Sequence, residues 1–145
     1  MLLPDLSALR QILQPLPATG SLPVIAVVGL SPKAERPSNQ VARYLLARGF
    51  RVIPINPGHR QILERPCYAS LTEAVDVEGR VAIVVIFRRA EQVLPVVREA
   101  VAVGATTVWL QEGIVHQQAA AEATAAGLQV VMDKCIKIVH QDLFG

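Results

Sequence analysis

The chain has 145 residues, 52% hydrophobic and 18% charged, with a net charge of +2 and 11 Arg against three Lys (Lys33, Lys134, Lys137). That length suits one domain of about 100–200 residues, and the apolar content excludes a disordered chain. Near-neutral charge and six aromatics with no RNP-like segment argue against a nucleic-acid surface.

Met1–Leu13 reads as a weakly amphipathic helix carrying Leu2, Leu3, Leu6, Leu9, Ile12 and Leu13, ended by Pro15, Pro17 and Gly20. Pro4, Asp5 and Arg10 interrupt any signal-like apolar run there, so no secretory signal is expected. Residues 1–20 are thus an N-terminal helix and linker, and 21–145 the domain proper. Val24–Val28 is a continuous apolar, mostly β-branched run, the pattern of a strand buried on both faces. Ser38–Arg48 has helical spacing, with Ser38 as N-cap and Gly49 as the stop. Phe50–Ile55 is the next strand, ended by Asn56-Pro57-Gly58. A helical turn is expected around Arg60–Leu63 and another at Ser70–Val75, where Ser70-x-x-Glu73 has capping-box form.

Arg80–Phe87 carries the strongest strand pattern. Its core, Val81–Phe87, is the longest apolar run at seven residues, far short of a membrane span. Ala90–Val103 is helical, with Pro95 expected in the first turn after a loose stretch at Ala90–Leu94. Thr106–Leu110, Val115–Ala126 and Leu128–Met132 follow as strand, helix and strand, and Cys135–Phe144 is either a short helix or irregular. Five buried strands joined by helices predict an α/β, Rossmann-like, doubly wound parallel sheet with helices on both faces.

Ligands of such sheets sit beyond the carboxyl ends of the strands. After the first strand comes Gly29-Leu30-Ser31-Pro32-Lys33-Ala34-Glu35-Arg36-Pro37-Ser38, which keeps one glycine of G-x-G-x-x-G. Free N–H groups at a helix start, with Lys33, Arg36, Ser31 and Ser38 close by, favour an anion; an ordinary solvated loop is the plain alternative. Asn56 stands where NAD-binding domains usually carry an acid, so a phosphorylated ribose fits better there, although Asn-Pro-Gly is also simply a good turn. Of Arg88 and Arg89, one at most faces a ligand. Gln111-Glu112-Gly113 ends the fourth strand, with Glu112 accepting from a ligand or capping the next helix.

Catalytic patterns are poor. There is no G-x-S-x-G elbow and no Walker A sequence. Cys67 and Cys135 form no C-x-x-C pair, and His59, His116 and His140 are scattered, so neither a disulfide framework nor structural zinc is expected. Cys135 and His140 have the types of a nucleophile and a base, but a cysteine beside Ile136 and Ile138 reads first as a small buried side chain. Trp109 reads as core.

The segments Ile25–Ser38 (IAVVGLSPKAERPS), Val52–Pro57 (VIPINP), Val85–Arg89 (VIFRR), Val108–Gly113 (VWLQEG) and Met132–Lys137 (MDKCIK) resemble the small stand-alone CoA-binding proteins of bacteria and archaea. These are similar to the N-terminal CoA-binding domain of the succinyl-CoA synthetase alpha subunit. The resemblance spans Pro23 to His140. It implies coenzyme A, or an acyl-CoA, at the carboxyl edge. Gly29, Leu30, Ser31, Lys33, Arg36 and Ser38 would meet the phosphates, and Asn56 and Pro57 would lie beside the adenosine. Phe87 and Arg88 would border the pantetheine path or the phosphates, and Gln111, Glu112 and Gly113 would close the far side. An acid at Asn56 would repel the ribose 3′-phosphate.

The phosphorylated-histidine domain of the synthetase has no counterpart motif here, so ligase activity is not expected. The reading is a non-catalytic, cytoplasmic carrier, sensor or accessory module, forming a homodimer or serving a partner enzyme. An NAD(P)-binding oxidoreductase or redox sensor and a protein-interaction domain with a vestigial pocket are the alternatives.

Overall fold

The β-branched runs do form the centre of the molecule. In the computed structural model, which describes residues 4–145, the elements follow in the order α1 (Leu6–Leu13), β1 (Ile25–Val28), α2 (Pro37–Ala47), β2 (Val52–Ile55), β3 (Gln61–Ile62) and β4 (Arg65–Pro66). Then come α3 (Leu71–Glu78), β5 (Ile83–Ile86), α4 (Ala90–Ala102), β6 (Thr107–Leu110), α5 (Gln117–Ala125), β7 (Gln129–Val131) and α6 (Ile136–Phe144). Residues 1–3 of the expected first helix lie outside the described residues.

Five strands make one parallel sheet in the order β2-β1-β5-β6-β7. The expected Rossmann-like α/β architecture is therefore present. Counting only the strands of this sheet, the order is 2-1-3-4-5, so the chain reverses direction across the sheet between β1 and β5. Because side chains alternate along a strand, each strand feeds two cores. Ala26, Val28, Val84, Ile86, Val108 and Leu110 face α3, α4 and α5. Ile25, Val27, Ile83, Val85 and the fully buried Trp109 face α1, α2 and α6. Trp109 donates its indole N–H to the Lys134 carbonyl at 2.8 Å, which satisfies the one polar atom of that side chain.

Four local expectations differ from the structure. First, residues 61–66 form a β-hairpin rather than a helical turn. Leu63 and Glu64 both take positive φ (55° and 62°), as a tight two-residue hairpin requires, and the hairpin tucks Ile62 into the core. Second, Arg36, not Ser38, is the N-cap of α2. Pro37 occupies its first turn, and the Ser38 hydroxyl accepts from Ser31 N at 3.0 Å instead. Third, α4 runs unbroken from Ala90, leaving Pro95 inside the helix rather than in its first turn. Fourth, the cap of α5 is His116, whose Nδ1 accepts from Ala119 N, and not Glu112.

Ser70 does cap α3, accepting from Glu73 N at 3.1 Å. The last segment settles as helix α6. On it packs α1, which buries Leu9 and Leu13 while Arg10 donates to the Leu143 carbonyl and lies over the Phe144 ring. Among the described residues no helix is long and apolar enough to cross a membrane.

Candidate functional site

A parallel sheet places all its carboxyl ends on one edge, and here that edge collects the loops after β1, β2, β5, β6 and β7. The crossover point between β1 and β5 is closed by backbone contact. Gly29 has φ +88°, and a Cβ built on it would lie 2.2 Å from the Phe87 carbonyl oxygen. Only glycine fits there, on both counts. Its N–H donates to Ile55 O at 2.9 Å, so this one residue touches the ends of β1, β2 and β5 together.

The loop from Gly29 to Arg36 is laced to α2 from below. Asn39, nearly fully buried, donates Nδ2 to Ser31 O at 2.9 Å and accepts from Arg43 Nε at 2.8 Å, while Arg43 also donates to Ala34 O. Ser31 Oγ accepts from Lys33 N. Leu30 points inward and is completely buried, so its side chain belongs to the core and only its backbone faces the loop. Lys33 and Arg36 are exposed, and their side chains make no hydrogen bond or ion pair with the described residues. The Arg36 side chain does not cap α2. Pro37 has no N–H, and the Asn39 and Gln40 N–H groups both close on Arg36 O at 3.1 Å. In the first turn of this 11-residue helix the Ser38 N–H is therefore the donor without a partner among the described residues, beside two unpaired cations.

Asn56 has both ends of its amide engaged by backbone, donating to Leu30 O at 2.9 Å and accepting from Gly58 N at 3.0 Å. It fastens the β1 and β2 loops to each other, and the exposed Pro57 follows. Of the arginine pair, Arg88 is half-buried and Arg89 exposed at the start of α4.

Phe87, Gln111 and Glu112 meet in one groove of about 290 Å³, together with Pro37, Val41, Ile114 and Cys135. That volume sits just under the usual range for a whole small-molecule pocket, about 300–1,000 Å³, and suits one arm of an extended ligand. Gln111 is only 4% exposed. Its Oε1 accepts from Ile136 N at 3.0 Å, while its Nε2 has no partner among the described residues. No enclosed side-chain nitrogen or oxygen among those residues lacks a partner, so this Nε2 opens onto the groove that Gln111 lines. Gly113 is outside the groove wall and donates its N–H to Asp133 Oδ1 at 2.7 Å, tying the β6 and β7 loops together.

Two features were not legible beforehand. Cys135 lies half-exposed at the N-cap of α6 and on the groove, because α6 turns its apolar stripe, Ile136 among it, inward one residue later. Asn39 and Arg43, at i and i+4, are the braces of the loop after β1; a buried Asn on the core side of an amphipathic helix is the signal that finds them. Cys135 makes no hydrogen bond with His140, whose Nδ1 pairs with Tyr44 Oη at 2.7 Å and whose ring stacks on Phe144. Burial, aided by the Arg48 charge, holds the His140 pKa below its ordinary value. Cys67 is buried behind the hairpin, donating to Asn56 O, and burial pushes its thiol up. Among the described residues no group of three or more His, Cys, Asp or Glu is gathered as a metal site.

The family model described as a CoA binding domain matches residues 23–141. The uncharacterized protein YneT of Bacillus subtilis (strain 168) is 37% identical over 116 residues, covering 80% of this chain and 84% of YneT. Among solved structures, a hypothetical protein from Pyrococcus horikoshii OT3 superposes with a TM-score of 0.87 at 33% identity, covering 98% of this chain and 94% of that one. Cell-free ID.343 from Thermus thermophilus gives 0.85 at 31%, covering 97% and 100%. The apo form of dinucleotide forming acetyl-coenzyme A synthetase 1 from Ca. Korarchaeum cryptofilum shares the fold, with a TM-score of 0.70 at 23% identity over 86% of this chain and 28% of that one.

Proposed function

The chain belongs to the CoA binding domain family, and on that premise we propose that its carboxyl edge binds coenzyme A or an acyl-CoA in an extended pose. The protein then acts as a non-catalytic carrier, sensor or accessory module, with a partner enzyme supplying any chemistry, in the cytoplasm. The observation that carries this reading is the uncapped start of α2 beside the unpaired Lys33 and Arg36. A phosphate there accepts from the free Ser38 N–H and faces two cations.

The rest of the ligand follows from that anchor. Gly29 lets the phosphates approach the backbone, and Asn56 with Pro57 borders the adenosine without adding negative charge. Phe87 and the apolar walls Pro37, Val41 and Ile114 flank the pantetheine arm, with Gln111 offering an amide donor to one of its carbonyls. Crossing from β2 to β6 passes three inter-strand gaps, about 14 Å, which suits an elongated ligand better than a compact one.

Thermal unfolding with CoA, 3′-dephospho-CoA, NAD and NADP side by side tests the proposal. A ligand at 100 times its dissociation constant adds about 2.7 kcal/mol. Stabilisation by CoA that shrinks without the 3′-phosphate is expected. Stabilisation by NAD or NADP alone would overturn the reading in favour of a redox role, and no response to any nucleotide would leave a vestigial pocket.

A further inference from the structure

We propose that Cys135 is a thiol-capture site, forming a mixed disulfide with the sulfur end of a coenzyme A held in the groove. This rests on the CoA reading above and adds to it a residue and a reaction. Three observations carry it together. Cys135 lines the same groove as Gln111, Phe87 and Ile114 and is part-exposed, with its sulfur free of any disulfide. Gln111, 4% exposed, is locked through Oε1 to Ile136 N, the residue next to Cys135, and turns an unpartnered Nε2 donor into that groove. A buried donor held in this way is built to meet an acceptor, and the pantetheine arm carries two amide carbonyls just before its thiol.

Charge sets the direction of the ligand. Of the described residues lining the groove, Glu112 alone is charged, and it is an acid. Lys33 and Arg36 come just before Pro37, the first residue of α2 and one wall of this groove, so the cations flank its α2 side. The polyanionic nucleotide end is therefore drawn to α2 and the neutral thiol end to the β6 and β7 loops. Pro37 and Cys135 line the same groove, so a ligand whose phosphates sit beside the start of α2 can lay its arm along the groove to Cys135. Cys67 provides the contrast within the same chain. It is buried under the hairpin and bonded to Asn56 O, with no access to this groove.

The reaction is thiol–disulfide exchange with the symmetrical disulfide of CoA as oxidant. The Cys135 thiol loses its proton, and its sulfur attacks one sulfur of the CoA disulfide. The new S–S bond forms as the old one breaks, and the bonding pair leaves on the second CoA as thiolate, which takes up a proton. Cys135 sulfur is oxidised and the departing CoA sulfur is reduced, so the exchange balances without another reagent.

The full chain, reduced and then freed of reductant, is incubated with CoA disulfide or with glutathione disulfide and followed by intact mass and peptide mapping. One CoA adduct mapping to Cys135, reversed by dithiothreitol and formed at least tenfold faster than the glutathione adduct, is expected. Cys67→Ser retains the adduct and Cys135→Ser loses it. Equal rates with the two disulfides, or an adduct mapping to Cys67, would overturn the proposal; the mapping of the unaltered chain decides this even if a variant folds poorly. Thermal stabilisation of the same unaltered protein by reduced CoA separates the two readings. Stabilisation without adduct formation removes thiol capture alone, whereas absence of both removes the CoA reading with it.

Discussion

Gly29→Ala strikes the point where β1, β2 and β5 meet at the ligand edge. Two costs arise. An L-residue at φ +88° is strained by about 1–2 kcal/mol. The new Cβ would also lie 2.2 Å from Phe87 O, against a limit of 3.0 Å that real Cβ atoms essentially never cross. Phe87 must therefore withdraw by most of an ångström. That movement stretches the bonds from Phe87 N to Val28 O and from Gly29 N to Ile55 O, both 2.9 Å, each worth about 1 kcal/mol net. The expected loss is about 3–4 kcal/mol, a large part of the roughly 5–15 kcal/mol that holds such a domain. It lowers the melting temperature by about 10 °C.

Urea unfolding of Gly29→Ala beside Gly127→Ala measures this directly. Gly127 has nearly the same φ, +90°, but nothing lies within 4 Å of its added Cβ. The control therefore carries the conformational strain without the collision, and the difference between the two variants isolates the contact with Phe87. Gly29→Ala costing no more than Gly127→Ala would refute the reasoning. CoA affinity should also fall in Gly29→Ala under conditions where the protein stays folded, because the loop after β1 shifts against Phe87.

Three further outcomes are expected. Pro95→Ala restores an N–H that can donate to Glu91 O inside α4, and at this exposed position little packing is lost, so unfolding should cost about 2 kcal/mol more after allowing for a more flexible unfolded chain; a lower urea midpoint would contradict it. Lys33→Ala combined with Arg36→Ala should weaken CoA binding about tenfold and flatten its salt dependence, since both charges are exposed and screened; titration calorimetry at low and high salt checks both. Because burial depresses the His140 pKa below 6.5, the unfolded chain binds the extra proton first, and stability is full above that value and declines as pH falls through it. Urea midpoints from about pH 8 to about pH 5.5 should fall in the natural chain and fall less in His140→Phe.

Runs of adjacent β-branched residues such as Val24–Val28 and Arg80–Phe87 could be read as strands covered on both faces because continuous apolarity leaves no face for water. Gly49, at positive φ just after α2, was equally plain as a stop, and Ser70 as a cap. These are local rules, each satisfied within a few residues. The hairpin at residues 61–66 escaped them because Leu63-Glu64 lacks the Asn-Gly signature, and burial of Ile62 compensates for two strained residues. Pro95 sits inside α4 for the same kind of reason, since burial of Val93, Val97 and Ala100 keeps the helix continuous through it.

The site divides along the same line. A loop after a strand and before a helix, with Lys33 and Arg36 in it, reads as a candidate anion site from order alone, because parallel strands bring such loops to one edge. Which side chains remain available was decided by contacts between residues far apart in the chain. Leu30 is consumed by the core, Asn56 by Leu30 O and Gly58 N, and Gln111 by Ile136 at one end only. Cys135, whose neighbours suggest burial, is carried to the groove because α6 docks by the residue after it. Local pattern gives each residue its period and direction; only packing against distant partners determines what is left over to meet a ligand.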